Sequence, residues 1–234
     1  TGGYIFETSK DFHKIFANCK GNSIEIECKA DFHYDSTGLG RYHKAGFPTE
    51  LALSVPFTGS PNYNLPLEIH RRNASLCPGW ETEEGDIQYL CDLSEGLNHE
   101  VVYNFVSVDR VSFTVKYSGD VFKGVSGVEE TYTLDDDGVK IHVKLIDPLL
   151  NKVYYLLPLF ATNGKDKSNL SYNENSAEVS IGKYKYKVNT EGIITVGEER
   201  YGNRNGEYFL AKIESNNKEL IICLSMERIK EGIK

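Results

Sequence analysis

The chain has one methionine and one tryptophan, Trp80, among its 234 residues, and its seven prolines are unevenly spread. No apolar run approaches the roughly 20 residues a membrane-spanning helix requires. The five cysteines, Cys19, Cys28, Cys77, Cys91 and Cys223, form no CxxC pair or other metal-binding spacing. An odd cysteine count in a chain this long reads as reduced structural thiols rather than a disulfide framework, although a Cys77–Cys91 bridge stays open. Such thiols favour a reducing, cytoplasmic compartment. The six histidines show neither HxH nor HExxH spacing, so no metal site is expected. A GxSxG nucleophile elbow and a glycine-rich phosphate loop are both missing, which removes two common enzyme classes and leaves no cofactor implied. A net charge of −8 argues against nucleic-acid and anionic-membrane partners.

What remains is β-pattern. Residues alternate with period two over Ser23–Cys28, Val111–Tyr117, Lys140–Ile146, Lys183–Val188 and Tyr208–Ile213, rich in β-branched and aromatic types that favour a pleated surface. Turn residues punctuate these runs at Lys20-Gly21-Asn22, Asp136-Asp137-Gly138, Asn163-Gly164-Lys165, Ile181-Gly182-Lys183, Thr190-Glu191-Gly192 and Ser215-Asn216-Asn217. This spacing predicts roughly fourteen to sixteen strands and an all-β fold, a large antiparallel β-sandwich with little or no helix. Residues 1–234 are expected to form one sandwich domain, with 226–234 as the one place for a short helix. Because the chain starts at Thr1, it is expected to be the C-terminal part of a longer enzyme.

The exception to the pattern is segment 38–80. It holds five of the seven prolines, Pro48, Pro56, Pro61, Pro66 and Pro78, and four Lys or Arg against Glu50 and Glu68. Long irregular connections of this kind often carry function. Its polar groups fall in two clusters. Arg41, Tyr42, His43 and Lys44 lie where a strand gives way to loop, and so does His33 just upstream. An imidazole or phenol beside cations suits proton transfer, which makes His43, Tyr42 and His33 the catalytic candidates. In the second cluster, His70-Arg71-Arg72, a guanidinium would recognise a carboxylate or sulfate by a planar two-pronged contact. Consecutive arginines on a strand face opposite ways, so only one of them meets a common ligand. Arg41, His70 and Arg71 are therefore the substrate-binding candidates.

Other features have plainer readings. His142 alternates with Ile141 and Val143 and reads as a surface residue, and His13 as another structural one. Asp135-Asp136-Asp137-Gly138 lacks the spacing of a calcium loop and reads as a hairpin turn. The acids of 81–100 read as a solvated turn. Trp80 is a core plug or a sugar platform.

Three stretches carry a resemblance: Gly38-Leu39-Gly40-Arg41-Tyr42-His43, Gly127–Gly164 with its Val-Tyr-Tyr-Leu-Leu-Pro-Leu-Phe-Ala-Thr-Asn-Gly end, and Gly202–Leu224 with Asn203-Arg204-Asn205-Gly206-Glu207-Tyr208. Together they resemble the C-terminal, galactose-mutarotase-like sandwich of bacterial heparinase-like lyases and related glycoside hydrolases. The resemblance implies an upstream helical toroid partner, an acidic oligo- or polysaccharide substrate, and a bracing role for this domain, with residues 38–80 lent to the cleft. Two alternatives stay open: a non-catalytic carbohydrate-binding module, and a free-standing mutarotase-type epimerase that would need a His–Glu acid/base pair facing one pocket.

Overall fold

A computed structural model describes residues 2–9, 11–32, 35–55, 73–203 and 205–229. It is an antiparallel β-sandwich, and among the described residues the one helical element is a 3₁₀ turn at Leu90–Asp92. Four strands form the first sheet in chain order: β1 (Tyr4–Glu7), β2 (Lys14–Cys19), β3 (Asn22–Glu27) and β4 (Gly38–Lys44). A second sheet of eight has the spatial order β12 (Asn169–Tyr172), β13 (Ser176–Ile181), β14 (Tyr184–Thr190), β17 (Glu219–Arg228), β10 (Val139–Ile146), β9 (Gly127–Leu134), β8 (Val111–Ser118) and β7 (Asn98–Val106). The third has five: β15 (Ile193–Asn203), β16 (Gly206–Ser215), β11 (Val153–Thr162), β5 (Cys77–Glu81) and β6 (Ile87–Tyr89).

The four- and five-stranded sheets are joined through a Leu39–Leu76 bridge and pack against the eight-stranded sheet. Alternation decides which residues enter the core. On β8, Val111, Phe113, Val115 and Tyr117 point inward, and on β10 Val139, Ile141, Val143 and Leu145 do the same. Tyr42 of β4 meets Tyr186 of β14 across the layers, ring centroids 6.3 Å apart. Trp80 is buried, stacked on Phe122, and donates from Nε1 to the Lys123 carbonyl at 2.9 Å. Trp80 is thus the core plug rather than an exposed platform.

The turns fall where the sequence placed them. The Asp135 amide donates to the Gly138 carbonyl and the Asp137 amide to the Asp135 carboxylate, closing the β9–β10 hairpin. One expectation fails: Met226 belongs to β17, where pairing with β14 (Tyr186 opposite Met226) overrides the local helix preference. All five thiols are free, four of them buried.

One feature of the core is unusual. Glu130 of β9 points inward, fully buried, among the hydroxyls of Tyr117, Tyr132 and Tyr155, none in ideal hydrogen-bond geometry with it. Burial pushes its carboxyl up to about 8, and the Tyr132 and Tyr155 hydroxyls temper that rise.

Candidate functional site

The base of segment 38–80 is built from three distant parts of the chain. After β4 the backbone turns, with the Phe47 amide bonded to the Lys44 carbonyl, and runs back beside the strand it left. The Tyr42 amide donates to Ala52 at 3.0 Å, and the Ser54 amide to Gly40 at 2.8 Å. Two hairpin ends of the five-stranded sheet then clamp this returning stretch. The Tyr208 hydroxyl donates to the Glu50 carbonyl at 3.0 Å, Asn203 Nδ2 to the Ser54 carbonyl at 2.9 Å, and Asn163 Nδ2 to Glu50 Oε1 at 3.2 Å. Gly206 lets the two hairpin ends approach: at its φ of +151°, an added Cβ would stand 2.3 Å from the Thr162 carbonyl. Finally Val55 and Ala74 bridge to each other, Val55 N to Ala74 O at 2.6 Å, closing a neck at these two residues.

The sequence candidates divide at this neck. His33, His70 and Arg71 lie outside the described residues. Tyr42 is fully buried, its hydroxyl donating to Asn22 Oδ1 at 3.0 Å, so the strand's alternation gives this phenol to the core. Arg41 and His43 share the opposite face of β4. Among the described residues Arg41 Nε is buried without a hydrogen-bond partner, and its charge acts on Tyr208, whose hydroxyl burial pushes well above its ordinary range. The His43 ring nitrogen Nε2 lies 3.1 Å from the Phe47 carbonyl, which ties the imidazole to the turn. Arg41 thus has spare donor capacity in a low-dielectric setting, where an oxyanion would be held more strongly than in water. Glu50, Asn163, Asn203 and Tyr208 complete the clamp. Their residue types carried no signal of it, since they come together only through tertiary packing.

A second polar site lies at the other end of β3 and β4. Lys14 is paired with Glu27, whereas His43 is paired with Ser23, so the two sites are about 13 Å apart along β3 at roughly 3.3 Å per residue. Here the β1–β2 hairpin faces β7, the edge strand of the eight-stranded sheet, across a pocket of about 460 Å³ whose lining includes Glu7, His13, Lys14, Lys29, Asn98 and His99. His13 was expected to be an alternating strand residue. It instead occupies the turn before β2 at φ 51°, a backbone state uncommon outside glycine, with its amide bonded to Ser9 and its carbonyl to Cys28. Its ring meets His99 edge-on, centroids 5.9 Å apart at 89°. Burial lowers the His99 pKa, the His13 and Lys29 charges add to the effect, and Glu7 opposes it.

Beside the pocket, Lys14 Nζ lies 3.1 Å from Glu25, 3.3 Å from Glu27 and 3.2 Å from Asp35. Burial pulls this ammonium's pKa down, but Glu25 and Asp35 outweigh it and hold the group above its ordinary value. Burial also pushes the Glu27 carboxyl up to about 8 in spite of Lys14. Elsewhere, on the outer face of the eight-stranded sheet, half-exposed His142 sits with Nε2 3.1 Å from Glu219 Oε2. Among the described residues no cluster of three or more His, Cys, Asp or Glu is placed to hold a metal ion, and no helix is long and apolar enough to cross a membrane.

The architecture is that of a large antiparallel β-sandwich in which residues 50–54 are clamped against the five-stranded sheet. No protein-family model matches the sequence, and no curated protein matches it. Solved structures share the fold. HI1317 superposes with a TM-score of 0.53 at 6% identity, over 97% of this chain and 100% of that one. A mutant of heparan sulfate lyase HepC from Pedobacter heparinus gives 0.56 at 9% identity, over 99% of this chain and 36% of the lyase. The 4-α-glucanotransferase of Thermococcus litoralis gives 0.50 at 15% identity, over 96% of this chain and 39% of that enzyme. The chain thus spans the whole of HI1317 and little more than a third of the two enzymes. At these identities the likeness is one of fold.

Proposed function

We propose that this chain is the accessory β-sandwich of a carbohydrate-active enzyme, a polysaccharide lyase or glycoside hydrolase acting on acidic glycans, and that it braces a helical toroid while lending segment 38–80 to the cleft. The observation that carries the reading is the clamp. Three side chains from two hairpin ends hold residues 50–54, and the Val55–Ala74 bridge closes the neck. Such a frame suits the presentation of a basic excursion to something anionic, because a loop anchored on rigid strands loses less entropy on binding. Arg41 would bind a carboxylate or sulfate, and a histidine of the segment, His43 or His70, would transfer protons. The fold shared with a heparan sulfate lyase supports the substrate class.

The test is turnover of an acidic polysaccharide by the full-length protein, compared with its Arg41→Ala and His43→Ala variants. We expect the arginine variant to lose about tenfold or more, the loss of one charge-assisted contact, with an unchanged melting temperature. Unchanged turnover in both variants, or a full-length protein with no helical region before Thr1, overturns the reading.

A free-standing mutarotase-type epimerase is the second reading. The His142–Glu219 contact, Nε2 to Oε2 at 3.1 Å, is the His–Glu pair it would use. Anomerisation of simple aldoses, lost in His142→Gln, would establish it in place of the first.

A further inference from the structure

The pocket between the β1–β2 hairpin and β7 has no part in the clamp, and its chemistry points to a ligand of its own. Its lining sets two imidazoles and two ammonium groups against a single carboxylate, Glu7. One of the ammonium groups, Lys14, is already engaged by Glu25, Glu27 and Asp35. The remainder are differently placed. Among the described residues no hydrogen bond engages either imidazole, and Lys29 lies near enough to His99 for its charge to be felt there. Glu7 is fixed from the other side by the Tyr103 hydroxyl, which donates to its carboxylate. The hairpin side of the pocket therefore carries His13 and an oriented acceptor, Glu7, and the β7 side carries His99 and Asn98, with Lys29 also in the lining. About 460 Å³ falls within the range of small-ligand pockets and admits a polar ring. Backbone strain at His13 is maintained by its bonds to Ser9 and Cys28, and strained residues of this kind concentrate at ligand sites.

We propose that this pocket binds one acidic sugar residue, its carboxylate or sulfate held by His13, His99 and Lys29 and its ring hydroxyls by Glu7 and Asn98. The choice of ligand rests on the acidic-glycan reading, but the site is separate from Arg41. Binding an oxyanion favours the protonated form of His99, whose pKa burial lowers, so affinity rises as pH falls from 8 to 5.5. The groups facing the two rings are Glu7 from β1, Lys14 from β2, Lys29 beyond β3 and Tyr103 from β7.

The test is a titration of the full chain with glucuronate, glucose 6-sulfate, glucose and inorganic sulfate, followed through the imidazole proton resonances. We expect glucuronate or glucose 6-sulfate to shift both His13 and His99, to bind about tenfold more tightly at the lower pH for one unit of linked imidazole pKa, and to outcompete glucose. His99→Gln and Lys29→Gln should each weaken binding about tenfold. His13→Asn, which tolerates the left-handed backbone, should do so without lowering the melting temperature. The two acidic sugars separate carboxylate from sulfate recognition. Equal binding of glucose, inorganic sulfate binding as tightly as either acidic sugar, or no imidazole response to any probe overturns the proposal. Silence of the pocket with Arg41-dependent turnover intact would sink this site alone, whereas pocket binding without such turnover would remove only the cleft-loop reading.

Discussion

The Tyr208 hydroxyl donates to the backbone carbonyl of Glu50 at 3.0 Å, linking residues 158 positions apart. This bond and its neighbours tie residues 50–54 to the five-stranded sheet. Tyr208 is fully buried and Glu50 half-buried, so the bond ties the returning stretch to the core. The clamp therefore contributes stability as well as shape.

Removing that hydroxyl tests the clamp. Tyr208→Phe keeps the ring and leaves the Glu50 carbonyl without its donor. Unfolding by urea should show a loss of about 0.5–1.5 kcal/mol, the net worth of one hydrogen bond, and limited proteolysis should cut faster between residues 45 and 55. A variant as stable and as resistant as the parent would mean that the clamp adds nothing.

Glu130 predicts an inverted acid–base behaviour. Its folded pKa, raised to about 8 from 4.5 by burial, lies above its unfolded value. The unfolded chain releases the proton first, so this contribution is full below about pH 4.5 and is lost as pH climbs to about 8. The size is of order 5 kcal/mol at most, from roughly 1.4 kcal/mol per unit. Glu27, also raised to about 8, acts in the same direction over the same window. Glu130→Gln should flatten the decline in melting temperature between pH 5 and 9 without abolishing it. A parent protein whose stability rises across that range would contradict the assignment.

Trp80 offers a clean optical reading because it is the chain's single tryptophan. Buried against Phe122, it should emit at short wavelength in the folded state and shift to the red on unfolding. Trp80→Ala should cost about 3–5 kcal/mol through the cavity it leaves. Trp80→Phe should leave glycan binding unchanged, since the indole reaches no surface. Loss of binding in the phenylalanine variant at unchanged stability would restore the sugar-platform role.

Much of the fold was legible along the chain. Ile141, Val143 and Leu145 face the core because successive strand side chains point to opposite sides, and Asp136-Asp137-Gly138 turns because glycine reaches the backbone state that a tight hairpin needs. The same alternation misled where its phase was ambiguous. Tyr42 seemed to belong with Arg41 and His43 by proximity in sequence, yet it sits between them on the strand and so faces the other way. Met226 looked like the start of a helix until β14 supplied a pairing partner.

Strand identity, turn positions and the singularity of segment 38–80 are properties of neighbouring residues, set by side-chain periodicity and backbone preference, and so they can be read in order. The sites are properties of distance. His13 meets His99 only because the edge of one layer packs beside the edge of the other, and Glu50 meets Asn163 and Tyr208 only because two hairpins end at the same place. Register and layer packing arise from the combined burial of some fifty core residues. No local pattern encodes which polar groups that burial will leave face to face.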